Sequence, residues 1–150
     1  MTPDDILATL TLRYDGTTVA AARGERSVFY NPGAILPRGV YFATVKEADG
    51  ENDRASKLGN GRFRFNLGLP KPQCEQLFGA PPPRPSKGDV ILGTWDFRGT
   101  DILTPHPVYG WMGWVSVVNP SNTTFVGLTR LIDAAFAKAK AAFNQRVQRA

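Results

Sequence analysis

Residues 62–69 alternate strictly between apolar and polar or small side chains, and no other feature constrains the fold as much. Successive side chains of a β-strand point to opposite faces of a sheet, so this period of two predicts a strand with one buried face. The residues on that face are Phe63, Phe65, Leu67 and Leu69. Arg64 and Asn66 fall on the other face, which either lines a cleft or meets solvent.

The last part of the chain carries a second pattern, an apolar stripe at helical spacing. The stripe consists of Phe125, Leu128, Ile132, Ala135, Phe136, Ala139, Phe143 and Val147. A helix with one apolar face packs that face onto a core. We therefore expect a long C-terminal helix that begins after Ser121 or Asn122 and lies across the sheet.

The first residues of the chain predict a shorter helix. Thr2 is a good N-cap, Pro3 suits the first helical position, and the two aspartates that follow favour the positive end of the helix dipole. An Asp-Gly pair after Tyr14 ends this helix. A further short helix is expected between Pro70 and Gly79.

Other strands are predicted where β-branched and aromatic residues lie between turn residues. They are a hairpin over residues 17–30 and strands at 40–46, 89–95 and 111–118, while residues 47–61 read as a polar surface loop. The strands cluster instead of alternating with helices. The predicted fold is therefore α+β, an antiparallel sheet packed on one side by the long C-terminal helix and the shorter N-terminal helix. A chain of 150 residues has the size of one domain, 1–150.

The net charge of +5 is concentrated at the C-terminus. From residue 123 onward there are five basic residues against Asp133, a net of +4, and the preceding residues hold 13 basic and 12 acidic groups, a net of +1. The five are Arg130, Lys138, Lys140, Arg146 and Arg149. A basic helix of this kind is one way to contact nucleic-acid phosphates, although its charges are spread along the helix and not clustered.

The counts of cysteine and histidine exclude several classes of protein. Cys74 is the only cysteine, so no intramolecular disulfide can form, and one cysteine with one histidine does not make a usual zinc site. The N-terminus is acidic where a signal peptide is basic, and no apolar run is long enough to span a bilayer. We therefore expect a cytoplasmic protein with no membrane, metal or cofactor.

Several segments of the chain carry recognisable motifs. They lie at residues 29–32, 42–45, 53–56, 62–69, 77–79, 105–109, 113–115 and 119–121. Together they resemble an uncharacterised family of small bacterial proteins known only as a domain of unknown function, and the stretch from 105 to 121 is the specific part. The order of elements is also loosely similar to that of the YjbR/MmcQ-like proteins, for which DNA binding has been suspected. The first resemblance implies a fold and no activity.

His106 is the only histidine and lies between two prolines, which limit how the backbone around it bends. Near neutral pH an imidazole can serve as an acid, a base or a donor to an anion. The alternative is a turn histidine whose ring hydrogen-bonds a backbone carbonyl. If the polar face of the strand at 62–69 is adjacent, Arg64 and Asn66 would hold a carboxylate or phosphate beside His106.

Aromatic residues follow His106 closely in sequence. Tyr109 is expected at the rim of such a site. In a strand, Trp111 and Trp114 would point to opposite faces, so that one packs in the core and the other is available to stack on a ligand. We assign Trp111 to the site.

The sequence thus predicts a binding module for a small anionic ligand. Its site would comprise Arg64, Asn66, His106, Tyr109 and Trp111. Two alternatives stay open: a nucleic-acid-binding protein that uses the basic C-terminal helix, and an enzyme with His106 as acid or base. No nucleophile elbow, P-loop or metal-ligand cluster is present in the sequence, so we assign no catalytic residue. The oligomeric state stays open.

Overall fold

The computed structural model describes residues 1–149 and shows a six-stranded antiparallel sheet. In chain order the strands are β1 (Thr17–Ala22), β2 (Glu25–Tyr30), β3 (Val40–Lys46), β4 (Arg64–Gly68), β5 (Leu103–Pro105) and β6 (Trp114–Val118). Across the sheet they follow the order β1-β2-β3-β4-β6-β5, so the last strand in sequence lies inside the sheet. The hairpin, β3 and the strand predicted from the alternating pattern are confirmed.

Four helices accompany the sheet: α1 (Pro3–Arg13), α2 (Lys71–Phe78), α3 (Asn122–Gly127) and α4 (Thr129–Arg149). The predicted N-caps are confirmed. Thr2 forms a capping box with Asp5, and the hydroxyl of Ser121 accepts from the backbone N–H of Thr124. The long C-terminal helix is interrupted at Leu128, so α3 and α4 are separate helices. None of the helices within residues 1–149 combines the length and apolar character that a bilayer crossing requires.

The hydrophobic core lies between one face of the sheet and helices α1 and α4. The four residues predicted to share the buried face of β4 and its flanks all belong to this core, at 5% exposure or less. Phe136 of α4 contacts three aromatic rings there: Tyr14 at 4.5 Å between centroids, Tyr30 at 5.3 Å and Phe42 at 5.4 Å. The predicted α+β architecture, with both helices on one side, is therefore confirmed.

The strand predicted at residues 89–95 is wrong. This segment has no ladder partner, and Leu92 is 74% exposed. Its backbone passes through positive φ at Gly88 (86°) and Gly93 (145°), which breaks the extended conformation that a strand needs. One backbone hydrogen bond, from the N–H of Ile91 to the carbonyl of Pro107, connects residues 89–95 to the segment that follows β5.

The strand predicted at 111–118 begins three residues later than expected. Residues Gly110–Met112 form a 3₁₀ turn, and Gly113 follows in the left-handed region at φ 102°. The chain enters β6 only at Trp114. Trp111 therefore does not belong to the sheet, and the reasoning that placed it opposite Trp114 across one strand does not apply.

A β-bulge in β3 changes which face its residues occupy. Ala43 pairs with Val28, whereas the next residue of β2, Phe29, pairs with Tyr41, so Phe42 is the extra residue. Phe42 and Ala43 both join the core on the helix side. On either side of the bulge, side chains of β3 alternate normally.

Candidate functional site

The face of the sheet that points away from α1 and α4 is polar but buried. A row of small polar residues crosses five strands in register: Ser27, Thr44, Asn66, Ser116 and Thr104. All five are at most 7% exposed. Asn66 connects the row, because its Oδ1 accepts from the Ser116 hydroxyl at 2.6 Å and its Nδ2 donates to Thr44 Oγ1 at 3.0 Å. The polar face of β4 is thus covered and not solvated.

Arg64 lies one step along the strand from this row and is 1% exposed. Its Nε donates to Asn66 Oδ1 at 2.9 Å, and Nη1 donates to Asp53 Oδ1 at 2.9 Å and to Ser56 Oγ at 3.1 Å. Nη2 donates to Asp53 Oδ2 and lies 3.3 Å from His106 Nε2. The guanidinium therefore already holds a carboxylate in a bidentate pair, and this carboxylate comes from the chain itself.

His106 is 2% exposed and stands beside that ion pair. Its Nδ1 accepts from the backbone N–H groups of Val108 at 3.0 Å and Tyr109 at 3.1 Å. Two donors at Nδ1 require a lone pair there, which assigns the proton of the neutral ring to Nε2. Nε2–H and the Arg64 guanidinium then face each other as two donors. The pKa of His106 lies well below 6.5 because of burial first, then the positive charges of Arg64 and Lys46.

Lys46, at the end of β3, is a cation of this face that has an ion pair but no hydrogen bond. It is 6% exposed, and its ammonium donates to no acceptor within hydrogen-bonding distance in residues 1–149. The nearest carboxylate oxygen, Glu25 Oε1, lies 3.9 Å from Nζ. A side chain at Gly50 would place its Cβ 3.2 Å from that nitrogen, so glycine at this position keeps the space beside the ammonium free of a side chain.

A cleft of about 610 Å³ lies on the polar face of the sheet, and its lining includes Lys46, Asp53 and His106 but neither Arg64 nor Asn66. The loop that follows β3 and the segment from His106 to Trp114 both contribute residues to its lining. The basic residues of its lining are Arg23, Arg38, Lys46 and Arg146, and the acidic ones are Glu25, Glu51 and Asp53, a net of four minus three, or +1. The cleft has the volume typical of a small-molecule site.

Of the five residues predicted for the site, His106 and Tyr109 line the cleft, whereas Arg64 and Asn66 do not. Arg64 and Asn66 are hydrogen-bonded to each other and buried, at 1% and 0% exposure, and Arg64 Nη2 lies 3.3 Å from His106 Nε2. Tyr109 lies at the rim, 45% exposed, with its ring 5.1 Å from the imidazole. Trp111 does not join them. It lines a second cavity of about 290 Å³ beside α2, where the guanidinium of Arg84 lies 5.2 Å from its ring.

Sequence reasoning missed Lys46, Asp53 and Trp114. Lys46 is two residues from Thr44 on β3, so its place on the polar face followed from the strand period once the bulge was known. Asp53 lies in a polar loop and belongs to one of the motifs of the family resemblance, but no local pattern shows that it folds back onto Arg64. We expected Trp111 and Trp114 to lie in one strand and assigned Trp111 to the site. Because Trp111 lies in the 3₁₀ turn, Trp114 is the tryptophan that lines the cleft.

A family model described as a family of unknown function (DUF6194) matches residues 1–148 of the chain. The match includes every residue that lines the cleft, from Ala22 to Arg146. No curated protein matches the chain, and no solved structure matches it. The description of the family names no activity, so a function has to be argued from the geometry of the cleft.

Proposed function

The chain belongs to DUF6194, a family of unknown function, and from its cleft we propose that it is a binding module for a small anionic ligand. One observation carries this proposal: Lys46 is 6% exposed, faces the cleft, and makes no hydrogen bond within residues 1–149. Within these residues its one partner is the Glu25 carboxylate at 3.9 Å, an ion pair too long to count as a hydrogen bond, so the three N–H donors of the ammonium lack acceptors. An anion in the cleft would supply those acceptors.

The groups around Lys46 support an oxygen-bearing anion. Thr44 Oγ1 accepts from Asn66, which leaves its own proton free to donate. Ser27 is the neighbour of Thr44 on the adjacent strand β2. Its hydroxyl makes no hydrogen bond with the described part of the chain. Both residues line the cleft. One ammonium and two hydroxyl donors on adjacent strand positions suit a carboxylate or phosphate.

The contact between His106 and Arg64 points the same way. His106 Nε2–H and the Arg64 Nη2 group are both donors and lie 3.3 Å apart, so neither satisfies the other. His106 lines the cleft. An acceptor atom of a ligand beside its Nε2–H would relieve this contact between two donors. The full pairing of Arg64 with Asp53 makes Lys46, and not Arg64, the main cationic contact of the ligand.

The alternative of an enzyme with His106 as acid or base is less well supported. Its Nδ1 lone pair is used by two backbone N–H groups, so the ring has no free base toward the cleft. Cys74 lies in the lining of the other cavity, and burial raises the pKa of its thiol, which disfavours the thiolate.

The alternative of a nucleic-acid surface on α4 is also less well supported. Lys138 donates to the carbonyl of Leu69 at 3.1 Å, and Arg146 reaches the carbonyl of Gly39 at 3.5 Å. These two contacts direct basic groups back to the protein. A phosphate-binding surface needs such groups to converge outward on one side.

Titration with inorganic phosphate and with acetate, followed by the NMR signals of backbone amides in β2 and β3, tests the proposal. We expect saturable shifts near Ser27 and Thr44, and Lys46→Met should weaken binding at least about tenfold, equivalent to about 1.4 kcal/mol. Lys140→Met is the matched control, because Lys140 is exposed on α4. Binding that survives Lys46→Met, or shifts confined to other surfaces, would overturn the proposal.

A further inference from the structure

The part of the cleft beyond Ser27 and Thr44 is aromatic. Phe29, Tyr41, Tyr109 and Trp114 all line it, together with Met112. Tyr41 is 46% exposed, Tyr109 45% and Met112 39%. Single exposed apolar residues are common on proteins, but several that converge on one concavity mark a binding surface.

Trp114 is held in a defined position at this end of the cleft. It pairs with Gly68 across β4 and β6, and a Cβ on Gly68 would lie 2.8 Å from Cζ2 of the indole. The ring therefore rests directly on the glycine backbone, which no other residue would allow. The ring of Tyr41 lies 5.5 Å from that of Trp114 at an interplanar angle of 34°. The two rings form a fixed aromatic wall.

The aromatic wall and the donor group are a short distance apart. Phe29 is two residues from Ser27 on β2, which is about 7 Å along a strand. Tyr41 and Thr44 pair with Phe29 and Ser27, so the bulge between them keeps their separation along the sheet about the same, roughly 7 Å. A free inorganic anion at Lys46 would leave most of the 610 Å³ cleft unfilled.

We infer that the ligand carries a planar aromatic ring in addition to its oxyanion, with the ring against Tyr41 and Trp114 and the anionic oxygens at Lys46, Ser27 and Thr44. This inference rests on the proposed function, since it assumes that the cleft binds an anion at Lys46. It adds the class of compound, an aromatic carboxylate or phosphate ester. Aromatic pairs contribute about 0.5–1.5 kcal/mol beyond their buried area, enough for roughly tenfold selectivity at the upper end.

Matched pairs of probes test the ring. The phosphate pair is 2-naphthyl phosphate and cyclohexyl phosphate, and the carboxylate pair is 2-naphthylacetate and cyclohexylacetate. On the full chain, the naphthyl member of at least one pair should bind roughly tenfold more tightly than its saturated partner. The pair with the larger ratio identifies the oxyanion. The signal of the Trp114 indole N–H should move with the naphthyl probe and not with inorganic phosphate.

Tyr41→Leu should bring the two members of the pair to within about threefold of each other and leave inorganic phosphate binding unchanged. Its control is Trp95→Leu, which removes an exposed aromatic ring that lines the other cavity. Equal binding of naphthyl and cyclohexyl probes by the wild type, or selectivity that survives Tyr41→Leu, would overturn the aromatic ring while inorganic phosphate still bound at Lys46. Loss of every anion, including phosphate, would instead overturn the proposed function.

Discussion

His106 is used first as an acceptor for the backbone that follows it. By receiving the N–H groups of Val108 and Tyr109, its ring fixes the turn that carries Tyr109 to the rim of the cleft. The same ring is surrounded by positive charge, from Arg64 and Lys46. The ring is therefore bonded to its turn, although to backbone N–H groups and not to the carbonyl that the turn-histidine interpretation expected. It also lines the cleft, and its role toward a ligand stays a prediction.

The neutral state of His106 makes stability depend on pH. Its folded pKa lies well below the unfolded value of 6.5, so between these values the unfolded chain binds more protons. The contribution of His106 to the free energy of unfolding should be constant above about pH 6.5. Below that pH the free energy of unfolding should fall as pH decreases, by at most about 1.4 kcal/mol per pH unit. Urea unfolding at several pH values from about 7.5 to about 5 measures how the free energy of unfolding changes with pH.

His106→Asn is the control for that titration. The asparagine side-chain oxygen can accept from the same backbone N–H groups but does not titrate, so the slope below about pH 6.5 should decrease. His106→Ala leaves those N–H groups without their partner and should cost about 1–3 kcal/mol more than the asparagine variant. Equal slopes for the wild type and His106→Asn would show that His106 is not the group responsible.

At the scale of elements, β4 is the strand most clearly specified by sequence. The environment of its polar face, with Arg64 and Asn66, is the part that the sequence specifies least. The alternating pattern places Phe65 and Leu67 on the core side, as found. It also places Arg64 and Asn66 together, but whether they meet solvent depends on what covers them. The covering comes from a loop through Asp53 and Ser56, and such a long-range contact leaves no period in the sequence.

Asp53→Asn should detach that loop. The substitution leaves Arg64, 1% exposed, without its counter-charge, and breaking a buried ion pair in this way costs about 3–5 kcal/mol. Glu51→Gln, an exposed acid on the same loop, is the control and should have little effect. Hydrogen exchange of amides in residues 50–58 should accelerate in Asp53→Asn alone. Unchanged exchange and stability would show that the pair does not hold the loop.

The long helix α4 is specified by its apolar stripe, and Phe136 is central to it. Phe136→Ala removes a half-buried ring that packs on Tyr14, Tyr30 and Phe42, so its cost should lie at the lower end of the range of about 3–5 kcal/mol for a buried Phe. Val126→Ala on α3, where the side chain is 69% exposed, is the control. A loss below about 1 kcal/mol by denaturant unfolding would contradict the packing described for α4.

The errors at 89–95 and 111–118 have a common cause. Both segments are rich in residues that favour strands, such as Val90, Ile91 and Trp111, but each lies next to glycines with positive φ. Glycine permits that conformation without requiring it, so local propensity could not reveal the bends. The helix caps at Thr2 and Ser121 were predictable because their hydrogen bonds reach only three residues along the chain.

At the scale of the whole molecule, the sheet separates the hydrophobic core from the cleft. Helices α1 and α4 cover one face with apolar side chains, and the cleft occupies the other face. Residues at a binding site often lower stability, because their polar groups are arranged for a ligand and not for each other. Under the proposed function, the buried ammonium of Lys46, 3.9 Å from its nearest carboxylate, has this character.

Two substitutions on opposite faces test this separation. Lys46→Met should leave the free energy of unfolding unchanged or raise it, since it removes a poorly paired buried charge. Combined with Phe136→Ala, its effect should add within about 0.5 kcal/mol. Phe42, the residue of β3 that Phe136 contacts, is four positions from Lys46, about 13 Å along the strand. Coupling above about 1 kcal/mol would show that the two faces are not independent.

The bulge at Phe42 acts like a shift of reading frame within β3. The side chains alternate between the two faces on each side of the extra residue. Because of that residue, Tyr41 and Thr44 both point to the cleft although they are three positions apart. Loss of Phe42 would leave a regular ladder with Tyr41 still beside Phe29, at the cost of one core ring. A single-residue insertion or deletion elsewhere in β3 would turn one half of the cleft toward the core. Among related chains, length changes in this strand should therefore be confined to the bulge.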